Sequence, residues 1–413
     1  MSDPVVHGRV AAGFEPVRDA FVRNFTEHGE VGASVCVVVD GESKVDLWGG
    51  TTDRDGQDPW DHDTLVNVYS STKGLTALCA NILADRGELD LDAPVTEVWP
   101  EFGRAGKERM PVRYLLTHEA GLPVIDEELP EHAAIDWEHM VGALERQAPV
   151  WEPGTAQGYH AVTFGWLVGE VVRRVAGTES FRDALGQLVT GPLGLDFHVG
   201  LPDTEHHRVA RLVRDAPGLV GVGKTEGVEP EARPAFARSS EALQRLIEAF
   251  TSPDSLAMRS LGLASAPHAP SNNDPSWRRA QVPAANGHGN ARALARVYGA
   301  LARGGEIDGV RVISAEGVER AAREQVCGPD AVLVMPTRRS LGFMLPVPGQ
   351  PDQRGPNSFG HAGAGGSIGY ADPDRALGFG YAMNRMWPGG FMAPDPRAQS
   401  LVAAVHRSLD GEA

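Results

Sequence analysis

Positive charge is scarce in this chain. Its 38 lysines and arginines stand against 55 aspartates and glutamates, a formal net charge of −17 over 413 residues. No run of basic residues forms a phosphate-tracking stripe, which argues against nucleic acid and anionic membrane surfaces as partners. Cysteine is rarer still. Cys36, Cys79 and Cys327 are odd in number and far apart, which excludes a disulfide framework or a cysteine metal site and makes them read as buried small hydrophobes. No His-Glu-x-x-His or clustered Cys/His pattern supports a metal, and no cofactor is expected. Long apolar runs are missing too. No window approaches the roughly 20 residues that span a bilayer, and Met1 to Val10 are acidic and polar where a secretory signal is apolar. A soluble cytoplasmic protein is the expectation.

What is present suits a large core: 42% of the residues are hydrophobic, enough for two or more structural subdivisions. Residues 15–28 read as an amphipathic helix with Pro16 in its first turn. Two strand-like runs follow, 31–40 and 44–48, separated by Gly41-Glu42-Ser43 as in a hairpin. From Ser70 to about Val175 the pattern is mainly helical, with a strong apolar face at Phe164, Leu167, Val168, Val171, Val172 and Val175 before Gly177. Residues 217–283 carry eight prolines around a helical segment near 241–250 and read as an irregular surface excursion suited to a lid. Residues 358–370 and 376–384 are strand candidates joined by Asp372-Pro373-Asp374-Arg375, and a helix over 395–409 follows. The expected fold is α+β: an antiparallel sheet from residues 1–65 and 291–413, flanked by helices, around a mainly helical insertion over 66–290.

Lysine is the scarcest basic residue. Of the four, at 44, 73, 107 and 224, only Lys73 has a serine three positions before it, in Ser70-Ser71-Thr72-Lys73. Leu75, Leu78, Cys79, Ile82 and Leu83 follow at helical period and Gly87 closes the segment, so Ser70 Oγ and Lys73 Nζ fall one turn apart on one face. A serine hydroxyl needs a neighbouring base to become a nucleophile, and a desolvated lysine either serves as that base or tunes another. Two glycine-rich stretches complete the set. Pro153-Gly154-Thr155-Ala156-Gln157-Gly158-Tyr159-His160-Ala161 presents a tyrosine before the strongest helix. Gly360-His361-Ala362-Gly363-Ala364-Gly365-Gly366 reads as a strand that a ligand can approach closely, with N–H groups for an oxyanion.

In that order, Ser70-x-x-Lys73, Tyr159 and His361-Ala362-Gly363 resemble the three motifs of the penicillin-recognising, β-lactamase-fold serine hydrolases. Leu115-Leu116-Thr117-His118-Glu119-Ala120-Gly121-Leu122-Pro123 and Pro153-Gly154-Thr155 are similar to further family segments, and coverage runs from about Val31 to Asn384. The resemblance implies Ser70, Lys73 and Tyr159 as catalytic residues, with Tyr159 held as a phenolate by Lys73. It further implies the N–H groups of Ser70 and Ala364 as an oxyanion hole, with His361 and Gly363 beside the substrate. This chain has Tyr159-His160-Ala161 and His361-Ala362-Gly363 where β-lactamases and peptidases carry Tyr-x-Asn and Lys-Thr-Gly. An amide and a fixed cation are missing, which points to an uncharged small-molecule ester and the esterase branch. The alternatives are an acyltransferase using the same acyl-enzyme, a β-lactamase or DD-peptidase, and a ligand-binding or sensor protein that kept the fold.

Two motifs compete. Residues 218–225 fit the Gly-x-x-x-x-Gly-Lys-Thr phosphate loop, but Pro230 and Pro234 break the helix that loop needs. Gly365-Gly366-Ser367-Ile368-Gly369 fits the Gly-x-Ser-x-Gly elbow, yet a turn and a strand follow Ser367 instead of a helix.

Overall fold

The computed structural model describes residues 5–56, 58–215, 239–350, 352–388 and 394–411. Strand β1 (Val6–Val10) leads into helix α1 (Glu15–Glu27) and then the hairpin of β2 (Gly32–Val39) and β3 (Glu42–Gly50). The hairpin turn is shorter than the sequence suggested. Asp40 (φ 49°) and Gly41 (φ 81°) form a two-residue turn, left-handed at both positions, which matches the right-handed twist of the strands. Near the other terminus lie β4 (Phe359–Ala362), β5 (Ile368–Asp372) and β6 (Leu377–Met383), and the six strands form one antiparallel sheet in the order β1-β3-β2-β6-β5-β4. Leu377–Met383 pairs residue by residue with Val39–Ala33, so the two ends of the chain meet at the sheet centre.

Residues 358–370 do not form one strand. The β4–β5 ladder closes at Ala362–Ile368, and Gly365 (φ 88°) and Gly366 (φ 123°) turn the chain back on itself in conformations a side chain would strain.

Helix α2 (Thr72–Asp85) is buried on every side from Thr72 to Leu83, so the apolar face seen in the sequence is only part of its contact surface. Gly87 (φ 72°) ends it as expected. Helix α3 (Thr163–Ala176) packs on α2 and stops at left-handed Gly177. Helix α4 (Ala291–Ala302) lies against β2, β5 and β6. There a Cβ at Gly378 would stand 2.2 Å from Gly299 N, and one at Gly380 2.2 Å from Ala291 O, so helix and sheet backbones touch. Alternate residues of β6 face away from α4: Tyr381 Oη bonds Glu30, whose carboxylate meets buried Arg397 of helix α5 (Pro396–Asp410) at 2.8 Å.

Residues 239–283 are more regular than expected. Helices Ser240–Thr251, Leu256–Gly262 and Pro275–Arg279 replace one helical segment, each capped by a side chain, Ser239, Ser255 or Asp274, that accepts a backbone N–H. The rest of the expected excursion, with the phosphate-loop match, lies outside the described residues. Cys36 and Cys79 are buried, but Cys327 is exposed. It sits at an outward position of Val326–Pro329, which pairs with Pro336–Arg339. Among the described residues no helix is long and apolar enough to cross a membrane.

Candidate active site

Ser70 lies in a single 3-10 turn, Tyr69–Ser71, at the mouth of α2 rather than inside it. That turn is tied down from several directions. Val68 N–H donates to Gly287 O at 2.9 Å, and Thr72 Oγ1 accepts from Gly287 N–H at 2.9 Å while donating to Tyr69 O at 2.5 Å. Tyr69 itself is left-handed, φ 47°, a conformation that costs a bulky residue roughly 1–2 kcal/mol. Its phenol accounts for the arrangement: Tyr69 Oη donates to Asn272 Oδ1 at 2.8 Å and accepts from Arg214 Nη2 at 2.7 Å. No sequence pattern marks Arg214 and Asn272 as partners of the nucleophile's turn, because the three meet only through tertiary packing.

Lys73 and Tyr159 converge on the same oxygen. Lys73 Nζ is 3.0 Å from Ser70 Oγ, and Tyr159 Oη donates to Ser70 Oγ at 2.8 Å. Lys73 is fully buried, donates to Ala161 O at 2.7 Å and Ala284 O at 2.9 Å, and lies 4.8 Å from the Tyr159 ring centre. Burial, reinforced by the charge of Arg339, drives the Lys73 amine well below its ordinary range. Burial pushes Tyr159 the opposite way, above the ordinary phenol range. Both directions run against the phenolate that the resemblance implies, because burial disfavours the charged phenol and the charged amine alike.

The Tyr159 loop is fixed by two side chains from a distant segment, Asp330 and Arg339, and by Gln157, His118 and His160 of the motifs themselves. Asp330 Oδ1 accepts from the N–H groups of Tyr159, Val332 and Leu333 at 3.1, 2.8 and 2.7 Å, and its other oxygen bonds Arg339 Nη2. Arg339 Nη1 donates to Gln157 Oε1 at 2.6 Å. His118 Nδ1 accepts from His160 N–H at 3.0 Å and His160 Nε2 accepts from Leu122 N–H at 2.9 Å, so both imidazoles serve as loop fasteners. Burial keeps them neutral, holding His160 down to about 3.

The third motif forms the opposite wall. His361 is buried, 6.1 Å from the Tyr159 ring centre to centre, and burial lowers it to about 3. Its Nδ1–H donates to Ala362 O at 2.7 Å, so Nε2 offers a lone pair and no charge. Gly363 comes so near the nucleophile's turn that a Cβ there would lie 2.1 Å from Val68 O. Ala364 follows in the turn between β4 and β5, half-buried against the core. Ser367, the competing serine, is buried and donates to Val68 O at 2.7 Å, with Ser71 Oγ at 3.3 Å. It braces the two halves of the site against each other. Ser367→Ala is expected to keep fluorophosphonate labelling and ester turnover while losing about 1 kcal/mol in urea denaturation; loss of labelling would transfer the nucleophile to Ser367. Gly363→Ala forces the turn off Val68, and should lower turnover sharply while costing about 1–3 kcal/mol of stability on the same denaturation measurement.

Among the described residues no group of three or more His, Cys, Asp or Glu side chains is arranged to hold a metal. A serine hydroxyl between a buried amine and a phenol, set where helices meet an antiparallel sheet, is the arrangement of an active-site-serine hydrolase. The β-lactamase family model matches residues 18–404, and the chain belongs to that family. It is 37% identical over 395 residues to "Esterase/beta-lactamase LipL" of Mycobacterium tuberculosis, covering 92% of this chain and 83% of LipL. Among solved structures, a family VIII carboxylesterase superposes with a TM-score of 0.80 at 40% identity, over 98% of this chain and 100% of the other. EstA from Arthrobacter nitroguajacolicus Rue61a gives 0.80 at 30% identity, over 98% of each.

Proposed function

We propose that Ser70 carries the acyl group of the substrate, with Lys73 as general base and Tyr159 as a hydrogen-bond donor and proton carrier. The chain is a serine carboxylesterase of the β-lactamase family, in line with LipL and the family VIII carboxylesterase. The observation that carries the reading is Ser70 Oγ placed 3.0 Å from Lys73 Nζ and 2.8 Å from Tyr159 Oη.

A neutral amine has two N–H bonds, which the carbonyls of Ala161 and Ala284 take, and a lone pair left for the Ser70 hydroxyl proton. Ser70 Oγ attacks the ester carbonyl carbon as that proton moves to Lys73. The carbonyl oxygen becomes an oxyanion between the N–H groups of Ser70 and Ala364, a reading supported by the turn that Gly363 and Ser367 press against Val68. The tetrahedral adduct expels its alkoxide, which takes a proton from Tyr159, and Lys73 replaces it. Water then attacks the acyl-enzyme with Lys73 again as base, the acyl–Oγ bond breaks to release the carboxylic acid, and Lys73 returns the proton to Ser70 Oγ. In this reading the site lies where sheet segments 1–65 and 291–413 meet the helical segment 66–290.

An uncharged ester suits the walls. His361 brings no cation to a carboxylate, and Ala161 stands where an amide side chain would bond an acylamino group. Intact mass spectrometry with p-nitrophenyl esters and nitrocefin tests this. Esters should give an acyl adduct that decays with product release, and nitrocefin little or no turnover. A permanent adduct without product would make the protein a sensor, and nitrocefin turnover equal to that of esters would overturn the substrate class. An added acceptor alcohol appearing in the product would mark acyl transfer.

A further inference from the structure

Arg339 is 1% exposed, and its guanidinium carbon lies 5.8 Å from the centre of the Tyr159 ring, the ring that also has Lys73 Nζ at 4.8 Å. Burying a guanidinium beside a phenol and an amine is expensive unless it is paired and hydrogen-bonded. Its pairing is one-sided. Nη2 bonds Asp330 and Nη1 bonds Gln157, but among the described residues Nε has no hydrogen-bond partner, and it is buried from solvent. Asp330 pairs with Arg339 in a buried salt bridge while also accepting three backbone N–H groups, with Thr337 Oγ1 3.4 Å from Oδ2, so the pair is a dipole whose guanidinium end lies over the Tyr159 ring.

We propose that Arg339 is a positioning residue for the reaction: with Asp330 and Gln157 it fixes Tyr159, and its guanidinium, against the same ring as Lys73, disfavours a second positive charge on the amine that receives the Ser70 proton. This rests on the Ser70, Lys73 and Tyr159 reading. Asp330, already paired with Arg339, also faces Tyr159 and His160. Tyr159, His118, His160 and His361 are neutral through burial. Glu119 is bonded to Thr117 Oγ1 at 2.6 Å and raised by burial, and Arg354, which acts on His361, is paired with Asp352 at 2.6 Å. Arg339 is the charged group that acts on Lys73.

A cation held near an amine disfavours a second positive charge, so removing it raises the amine's affinity for protons. Arg339→Gln should move the acid limb of kcat/KM upward by about one to two pH units, while Arg339→Lys, which loses the planar fork but keeps the charge, should leave the limb in place. Asp330→Asn keeps an acceptor for Tyr159 N–H and leaves Arg339 less quenched, so its limb should move downward. Opposite shifts in the two neutralising variants are a signature that loosened packing does not produce. The amine can be watched without turnover: with four lysines in the chain, Nζ-labelled lysine spectra, assigned through Lys73→Ala, report Lys73 directly. Matching upward and downward shifts of that resonance's titration support the proposal. Shifts in the same direction, no shift in either, or an equal shift in Arg339→Lys would overturn it. Should Arg339→Gln not fold, Asp330→Asn decides alone, a downward shift supporting and any other result refuting. Turnover that survives Ser70→Ala would instead remove the underlying catalytic reading.

Discussion

Ser70→Ala is expected to lower ester turnover by about a thousandfold or more and to abolish labelling by a fluorophosphonate. The effect is chemical, not structural. Ser70 is half-buried, alanine fits its backbone, and the bonds that hold its turn come from Val68, Tyr69 and Thr72 instead of its hydroxyl. The variant should therefore unfold at nearly the wild-type temperature. Labelling and turnover in Ser70→Ala, measured beside a thermal melt, check this; activity retained in a folded variant would mean that another group carries the acyl chain.

Lys73→Ala should cost about a hundredfold to ten-thousandfold in kcat/KM and, more tellingly, erase the acid limb of the pH profile. In the wild type the base works only when unprotonated, so activity falls as pH drops through the lowered value of Lys73 and is full above it. Stability has the same sign. Between the folded value and the unfolded value near 10.5 the unfolded chain binds more protons, so stability increases as pH rises through that window. Lys73→Ala should flatten both slopes, read from kcat/KM and from urea denaturation across the alkaline range. An unchanged acid limb would assign the titrating base elsewhere.

Much of this arrangement was legible in the chain because local rules govern it. A serine and a lysine three apart before a helical run share a face in any helix, and Gly87 and Gly177 end their helices through backbone sterics alone, whereas the hairpin turn falls at Asp40-Gly41 and not over Gly41-Glu42-Ser43. The third motif was misread in outline. Alternating small residues resembled a continuous strand, and the left-handed Gly365 and Gly366 that split it into a hairpin left no distinct mark among so many glycines. What the sequence could not reveal is what depends on burial. Burial disfavours the charged forms of Lys73 and Tyr159 alike, and that desolvation exists only once α2 and its neighbours have packed. Arg339 and Asp330 were invisible for a related reason: 171 residues separate Asp330 from Tyr159 and 182 separate Arg339 from Gln157, and no periodicity links them.

The account stands most directly on which oxygen becomes acylated. Trypsin places the two competing serines in separate peptides, residues 55–73 for Ser70 and 355–375 for Ser367. After reaction with a fluorophosphonate or a slow p-nitrophenyl ester, the added mass is predicted on the 55–73 peptide, at Ser70 by fragmentation. Mass on the 355–375 peptide would contradict the account.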